Sequence, residues 1–236
     1  MPKPTFAERL EALAALREPI RRRLYHYVKR SLAPVSRDDA AQAIGVSRAM
    51  AAFHLDKLVE LGLLRAEFRR LSGRTGRGAG RPSKLYRRSR REFSVTLPER
   101  NHELLARLLA ETTVRTDDVP TIDGVAHRYG RSLGARARKR ISSRETTQRL
   151  GRCVSDVLED IGFEPVASDG GDVWARNCPF DPLSRRYPSI VCETAIEFVG
   201  GVIEGVATNS LEVSRDERPD RCCVVIRRGA PTAGPL

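Results

Sequence analysis

The sequence predicts an α+β fold, and three observations point to it. Up to Gly62 apolar residues recur at helical spacing, and beyond it they alternate as in strands. The second half repeats that order, with helices first and strands from Gly162 onward. Charge divides the chain as well: residues 1–100 carry 23 Lys and Arg against 10 Asp and Glu, and residues 101–236 carry 19 against 20. The whole +12 excess of the 236-residue chain therefore sits in its first 100 residues. Such a region attracts a polyanion, and the usual one is nucleic acid. No apolar run approaches the roughly 20 residues that span a bilayer. Met1 to Arg23 lacks the apolar stretch of a secretory signal, so the expected setting is the cytoplasm, with no membrane partner.

Leu10, Leu13, Leu16, Ile20, Leu24 and Val28 mark an amphipathic helix across about 8–30. Pro19 suits a second helix that starts near Glu18 and has proline at its first position. A loop over 31–35 holds Pro34, and Ser36 with Asp39 forms a capping box for the next helix, which Gly45 ends. Ser47 caps a third helix, Arg48 to Leu61, closed by Gly62. Its inward face is Ala51, Leu55 and Leu58. Arg48, Ala49, Ala52, Phe53 and Lys57 face outward, with His54 on the flank. Phe53 suits either a thymine methyl in the major groove or packing against the first helix. His54 suits a phosphate or polar contact, since no partner acid or nucleophile stands near it.

After Gly62, residues 63–69 alternate as a strand, 72–80 form a Gly-rich turn, and 81–87 return. Segment 65–91 holds 11 Lys and Arg and one acid, Glu67. Arginines among glycines approach phosphates or enter a narrow minor groove. The Gly-rich turn follows no buried strand and opens no helix, so a P-loop is excluded on context. Together these elements make a winged helix-turn-helix over 1–96. The candidate DNA-binding residues are Ser47, Arg48, Ala49, Ala52, Phe53, His54, Lys57, Arg74, Arg77, Arg81 and Lys84. Ser47–Leu64, with its Phe53–Leu64 run, and Gly78–Tyr86 resemble the recognition helix and wing of ArsR/DeoR-type winged-helix repressors, over about a third of the chain.

Two helices follow at 97–116 and 121–140, giving a helical linker and dimerisation segment over 97–144. A sensor domain over 145–228 then holds a helix at 145–162, strands at 163–167 and 173–176, a helix at about 189–206 and a last strand at 221–227. Residues 229–236 read as a disordered tail. Cys153 falls on an apolar helical stripe, which assigns it to the core. Cys178, Cys192 and the Cys222–Cys223 pair stand at element ends, where separate parts of a fold converge. A place in the first turn of its helix would lower the pKa of the Cys192 thiol. Alternation on a strand would turn one of Cys222 and Cys223 toward a site and the other toward the packing. Spacing leaves a metal site and ordinary core cysteines equally open.

Asn177–Phe180, Val191–Cys192 and Arg221–Ile226 resemble the sensor domain of the Suf-operon repressors. That resemblance implies a dimeric repressor with a [4Fe-4S] cluster on Cys178, Cys192 and Cys222, with Cys223 as an alternative or fourth ligand. It also implies a homodimer on double-stranded DNA carrying an inverted repeat. Zinc, a Cys178–Cys192 thiol–disulfide switch, and a small apolar ligand between helices and sheet are the other readings. The second half has no nucleophile–His–acid set, so no enzyme is expected.

Overall fold

The computed structural model describes residues 4–69, 82–113, 120–141, 146–168, 171–206, 210–216, 218 and 221–229. The chain forms two compact units, Met1–Val95 and Thr96–Leu236.

The first unit opens with α1 (Phe6–Ala14), a single 3-10 turn (Ala15–Arg17) and α2 (Pro19–Arg30). The break falls where Pro19 demands it. Pro19 takes the first helical position, and the Glu18 carboxylate accepts hydrogen bonds from the Ile20 and Arg21 amides (3.1 and 2.5 Å). After the short strand β1 (Val35–Ser36), Ser36 and Asp39 form the reciprocal capping box of α3 (Arg37–Ile44). Gly45 then turns the chain with φ +74°. Ser47 caps α4 (Arg48–Glu60), and Gly62 (φ +75°) turns into β2 (Leu64–Arg69). Strand β3 (Ser83–Arg88) returns antiparallel, with Phe68 opposite Lys84. β1 joins the hairpin as a third strand, in the order β1-β3-β2, where the sequence suggests only a loop. Leu24, Leu55, Leu58 and Tyr86 are fully buried at the centre of this unit. The Gly-rich turn over 72–80, with Arg74, Arg77 and Arg81, lies outside the described residues.

The second unit contains α5 (His102–Thr112), α6 (Ile122–Arg138), α7 (Thr147–Ile161), the short α8 (Leu183–Arg186) and α9 (Pro188–Val206). Its sheet has the order β4-β5-β7-β6, antiparallel throughout, from β4 (Pro165–Ala167), β5 (Val173–Ala175), β6 (Leu211–Arg215) and β7 (Val224–Arg228). Strand β6 and helix α8 carry no signal in the sequence reading. Segment 97–144, read as linker and dimerisation segment, lies within this unit. Leu104, Leu105, Leu108, Val125 and Ala126 are buried in one core with α7, α9 and the sheet. Residues 230–236 of the expected tail fall outside the described residues.

Helices α6 and α9 run parallel with their backbones in contact. A β-carbon on Gly130 would lie 2.0 Å from the Phe198 carbonyl oxygen, and one on Gly134 2.2 Å from that of Val202. The reciprocal positions are as tight: 2.1 Å from Gly201 to His127 O, and 2.2 Å from Gly205 to Arg131 O. Two Gly-x-x-x-Gly pairs thus leave no β-carbon at the four points of closest approach, which lets the helices come to Cα–H···O distance there. This places the first turns of α9, and the cysteine they carry, firmly over the core.

Candidate nucleic-acid interface and cysteine site

Ala51, Leu55 and Leu58 of α4 are fully buried, and this fixes which face is presented outward. On that outer face Arg48 and Ala49 are exposed, and Phe53 stands 65% exposed at the centre. Phe53 therefore does not pack against α1 or α2. Its only ring neighbour among the described residues is His54, edge-on at 5.2 Å. An apolar ring held in water has a cost that contact with a thymine methyl or a deoxyribose removes. Met50, 43% exposed, lies one turn before Phe53 on the same face. Sequence reasoning passed over it, although its i, i+3 relation to Phe53 was the available signal. Phe68 on strand β2 is also an exposed aromatic side chain, 69% exposed.

The other candidates divide by their partners. The Ser47 hydroxyl accepts from the Met50 amide (3.2 Å), so its role within the chain is a helix cap. Ala52 is half-buried. Arg48 holds Asp38 of α3 at 2.7 Å, a solvent-exposed pair worth about 1 kcal/mol or less and so easily exchanged for a phosphate. Lys57 pairs with Glu60 (2.8 Å) and Lys84 with Asp56 (2.7 Å), which also accepts from the Tyr86 hydroxyl (2.7 Å). Wing strand and recognition helix are therefore bolted together through Asp56. His54 departs from its expected place on the flank. It is buried, with Nδ1 3.6 Å from the Glu18 carboxylate, so it joins α4 to the start of α2 and is withdrawn from a polyanion. Its place on the same helical stripe as Ala51, three residues before it, and Leu58, four residues after it, explains the difference.

Residues 16–67 match the family model of a helix-turn-helix domain. The match covers less than a quarter of the chain and spans the end of the 3-10 turn through β2. It supports a winged-helix, DNA-binding transcriptional regulator, in agreement with the basic first unit and the outward face of α4. No curated protein and no solved structure matches the chain. Among the described residues no helix is long and apolar enough to cross a membrane.

In the second unit four cysteines meet. Cys178 follows β5, Cys192 is the fifth residue of α9, and Cys222 and Cys223 precede β7. Hydrogen-bond interactions string their thiols in a line, Cys178 to Cys222 to Cys223 to Cys192. Both residues of the Cys222–Cys223 pair face this line. The alternation expected of a strand does not apply, because the ladder begins only at Val224. What fixes them instead is the Cys222 amide donating to Ala175 O (3.0 Å) and the Asp216 amide donating to Cys223 O (2.8 Å). Arg221, ion-paired with Asp216 and laid 5.1 Å over the Trp174 ring, anchors the same turn. Cys153, in contrast, is buried in the core away from this line, and burial pushes its thiol up.

The line divides into two pairs by acidity. The hydrogen bond from Cys222 lowers the pKa of Cys178, and the Ser184 hydroxyl and Phe180 amide add to this against the cost of burial. Cys223 is held well below the ordinary thiol range by hydrogen bonds from Cys192 and Cys222, helped by the Arg215 guanidinium. Cys222 is pushed up by its thiolate neighbours and by burial. The same holds for Cys192, through Cys223 and burial. The expectation of an acidic Cys192 is thus reversed. It lies past the first turn of α9, where the helix dipole fades, and its neighbour Cys223 takes the negative charge.

Residues that spacing could not reveal hold this site in place. Arg100 donates to the Cys178 carbonyl (3.0 Å) and to Asn177 Oδ1, and pairs with Asp181 (3.3 Å). The buried Asn177 amide donates in turn to the carbonyls of Glu99 (2.8 Å) and Gly162 (2.6 Å). Asn177, Cys178 and Asp181 are 77 or more residues from Arg100 in sequence, so no local pattern announces the link.

Among the described residues, no three His, Cys, Asp or Glu side chains already surround a common centre as a bound metal ion requires. The donor chemistry nevertheless fits a thiophilic group. Four sulfurs come from three elements, two of them are stabilised as thiolates, and there is no competing carboxylate in the line.

Proposed function

We propose that the chain is a dimeric transcriptional repressor whose first unit reads an inverted-repeat operator and whose second unit controls that binding through its cysteines. The observation that carries the reading is the meeting of Cys178, Cys192, Cys222 and Cys223 in one line of thiols. In this reading α4 enters the major groove with Arg48, Ala49, Ala52 and Phe53 toward the bases. Lys57, Lys84 and the wing residues Arg74, Arg77 and Arg81 face phosphates. Cys178, Cys192 and Cys222 hold a [4Fe-4S] cluster, with Cys223 as fourth ligand or as the alternative to Cys222. Such a cluster, when bound, supplies a redox- and iron-dependent state. The chain's own part is to present thiolates beside Arg215 and peptide N–H groups, and to couple them through β7 to the core. Control then requires the two states of the second unit to differ in their affinity for DNA.

Anaerobic purification followed by iron and sulfide analysis and absorbance near ~400 nm tests the cluster. Iron and sulfide with that absorbance are expected, and their absence overturns the cluster. DNA binding has its own test: Arg77→Ala with Arg81→Ala should weaken binding at every sequence and flatten its salt dependence, whereas Phe53→Ala should alter sequence preference.

The pairing of the thiols favours a second reading, a disulfide switch. The pairs are then Cys178–Cys222 and Cys192–Cys223, not Cys178–Cys192. In each, the thiolate attacks a peroxide to give a sulfenic acid and hydroxide. The neighbouring thiol gives its proton to that hydroxide, forming water, and the resulting thiolate attacks the sulfenic sulfur and displaces hydroxide to close the disulfide. A mass decrease of about 2 Da per pair after peroxide treatment of iron-free protein identifies this switch.

A further inference from the structure

A cavity of about 770 Å³ opens between the first half of α7 and one face of the sheet in the second unit. Its floor is apolar: Val154 of α7 with Val173, Leu211 and Ile226 of the sheet. These strand residues share a face by register, since Val173 lies opposite Ile226, and Leu211 lies opposite Arg228 two residues further along β7. Arg152 and Arg228 stand at the rim, and among the described residues no Asp or Glu lines the cavity. Among the described residues neither guanidinium forms an ion pair there. That of Arg228 lies over Gly171, where a β-carbon would come within 3.1–3.3 Å of it, so it is steered along the mouth. Gly151 faces the same space, and a β-carbon added to it would meet nothing within 4 Å. The volume is that of a small-molecule site, and the lining has the usual composition of one, an apolar body with a few polar groups.

We propose that this cavity binds a small organic acid, a carboxylate carrying an aliphatic or aromatic body. The body covers the valine, leucine and isoleucine floor, and the carboxylate takes the two guanidiniums at the rim. A neutral ligand would leave two arginines without counterpart, and a dication would be repelled. The site lies at the far end of β7 from Cys222 and Cys223, and it depends on neither the DNA-binding nor the cysteine reading.

Calorimetric titration of the full chain tests it with two soluble probes that differ only in the head group, 4-phenylbutyrate and 4-phenylbutanol. One molecule of the acid should bind per chain, at least tenfold more tightly than the alcohol. Arg152→Gln with Arg228→Gln, both at exposed positions, should abolish the preference for the acid. Gly151→Phe should remove binding of both probes while circular dichroism shows a folded chain. Absence of heat with the acid, equal affinity for the two probes, or binding unchanged by the arginine pair overturns the site. The readout needs neither DNA nor metal, so its failure leaves the regulator reading untouched.

Discussion

Asp56 ties α4 to two residues of β3 through one carboxylate. Burial works to raise its pKa, but the hydrogen bonds from Lys84 and Tyr86 more than offset this and leave it below the usual aspartate range. A depressed carboxyl contributes stability above its unfolded pKa and loses it as pH falls through the folded value, so this contribution disappears below about pH 4. Asp56→Asn should cost the first unit about 1 kcal/mol by urea denaturation at neutral pH, discounted for the half-exposed carboxylate. His127 works with the opposite sign. Hydrogen bonds from its ring to Glu204 (2.7 Å) and to Glu197 (3.1 Å) raise its pKa against partial burial. Its stabilising effect is complete below the unfolded value of about 6.5 and fades as pH rises through the folded one. Proton NMR should place the His127 midpoint above 6.5, and Glu204→Gln should move it down. A midpoint unmoved by that change would remove Glu204 as the cause.

At the scale of elements, two kinds of helical glycine give opposite predictions. Gly201→Ala places a methyl 2.1 Å from the His127 carbonyl oxygen, so the helices must separate. A loss of about 2 kcal/mol in the second unit is expected, read by thermal or urea unfolding. Gly151→Ala meets open space and should stabilise α7 by about 0.5–1 kcal/mol. Most elements of the fold were legible in sequence because their signals are local. The Pro19 break, the Ser36–Asp39 box, the Ser47 cap and the Gly45 and Gly62 stops all lie within a turn of what they control. Strand β1 escaped because two residues cannot show a period, and β6 because Leu211–Arg215 mixes charged and apolar residues around a strand whose partner is β7. The line of cysteines was legible only as convergence at element ends. Its pairing depends on the turn before β7, and no spacing encodes that turn.

At the scale of the whole molecule, the two units have separate cores and unequal charge. Fragments 1–95 and 96–236 should each fold, and the full chain should unfold in two steps by calorimetry. A single transition shared by the chain and absent from both fragments would contradict separate cores. The first unit carries the basic excess, so fragment 1–95 should retain salt-dependent DNA binding that no treatment of the cysteines alters. Loss of DNA binding by peroxide in that fragment would place the sensing elsewhere, since all five cysteines lie beyond residue 95.

The glycines of the α6–α9 seam have an evolutionary consequence. Positions 130, 134, 201 and 205 admit no side chain while the helices stay in contact, so a lineage that keeps this fold cannot change them one at a time. The core hydrophobics around them can drift together in volume and still pack. Two Gly-x-x-x-Gly pairs about 70 residues apart therefore form the inheritable mark of the second unit, and they lie well beyond residue 67, where the helix-turn-helix match ends.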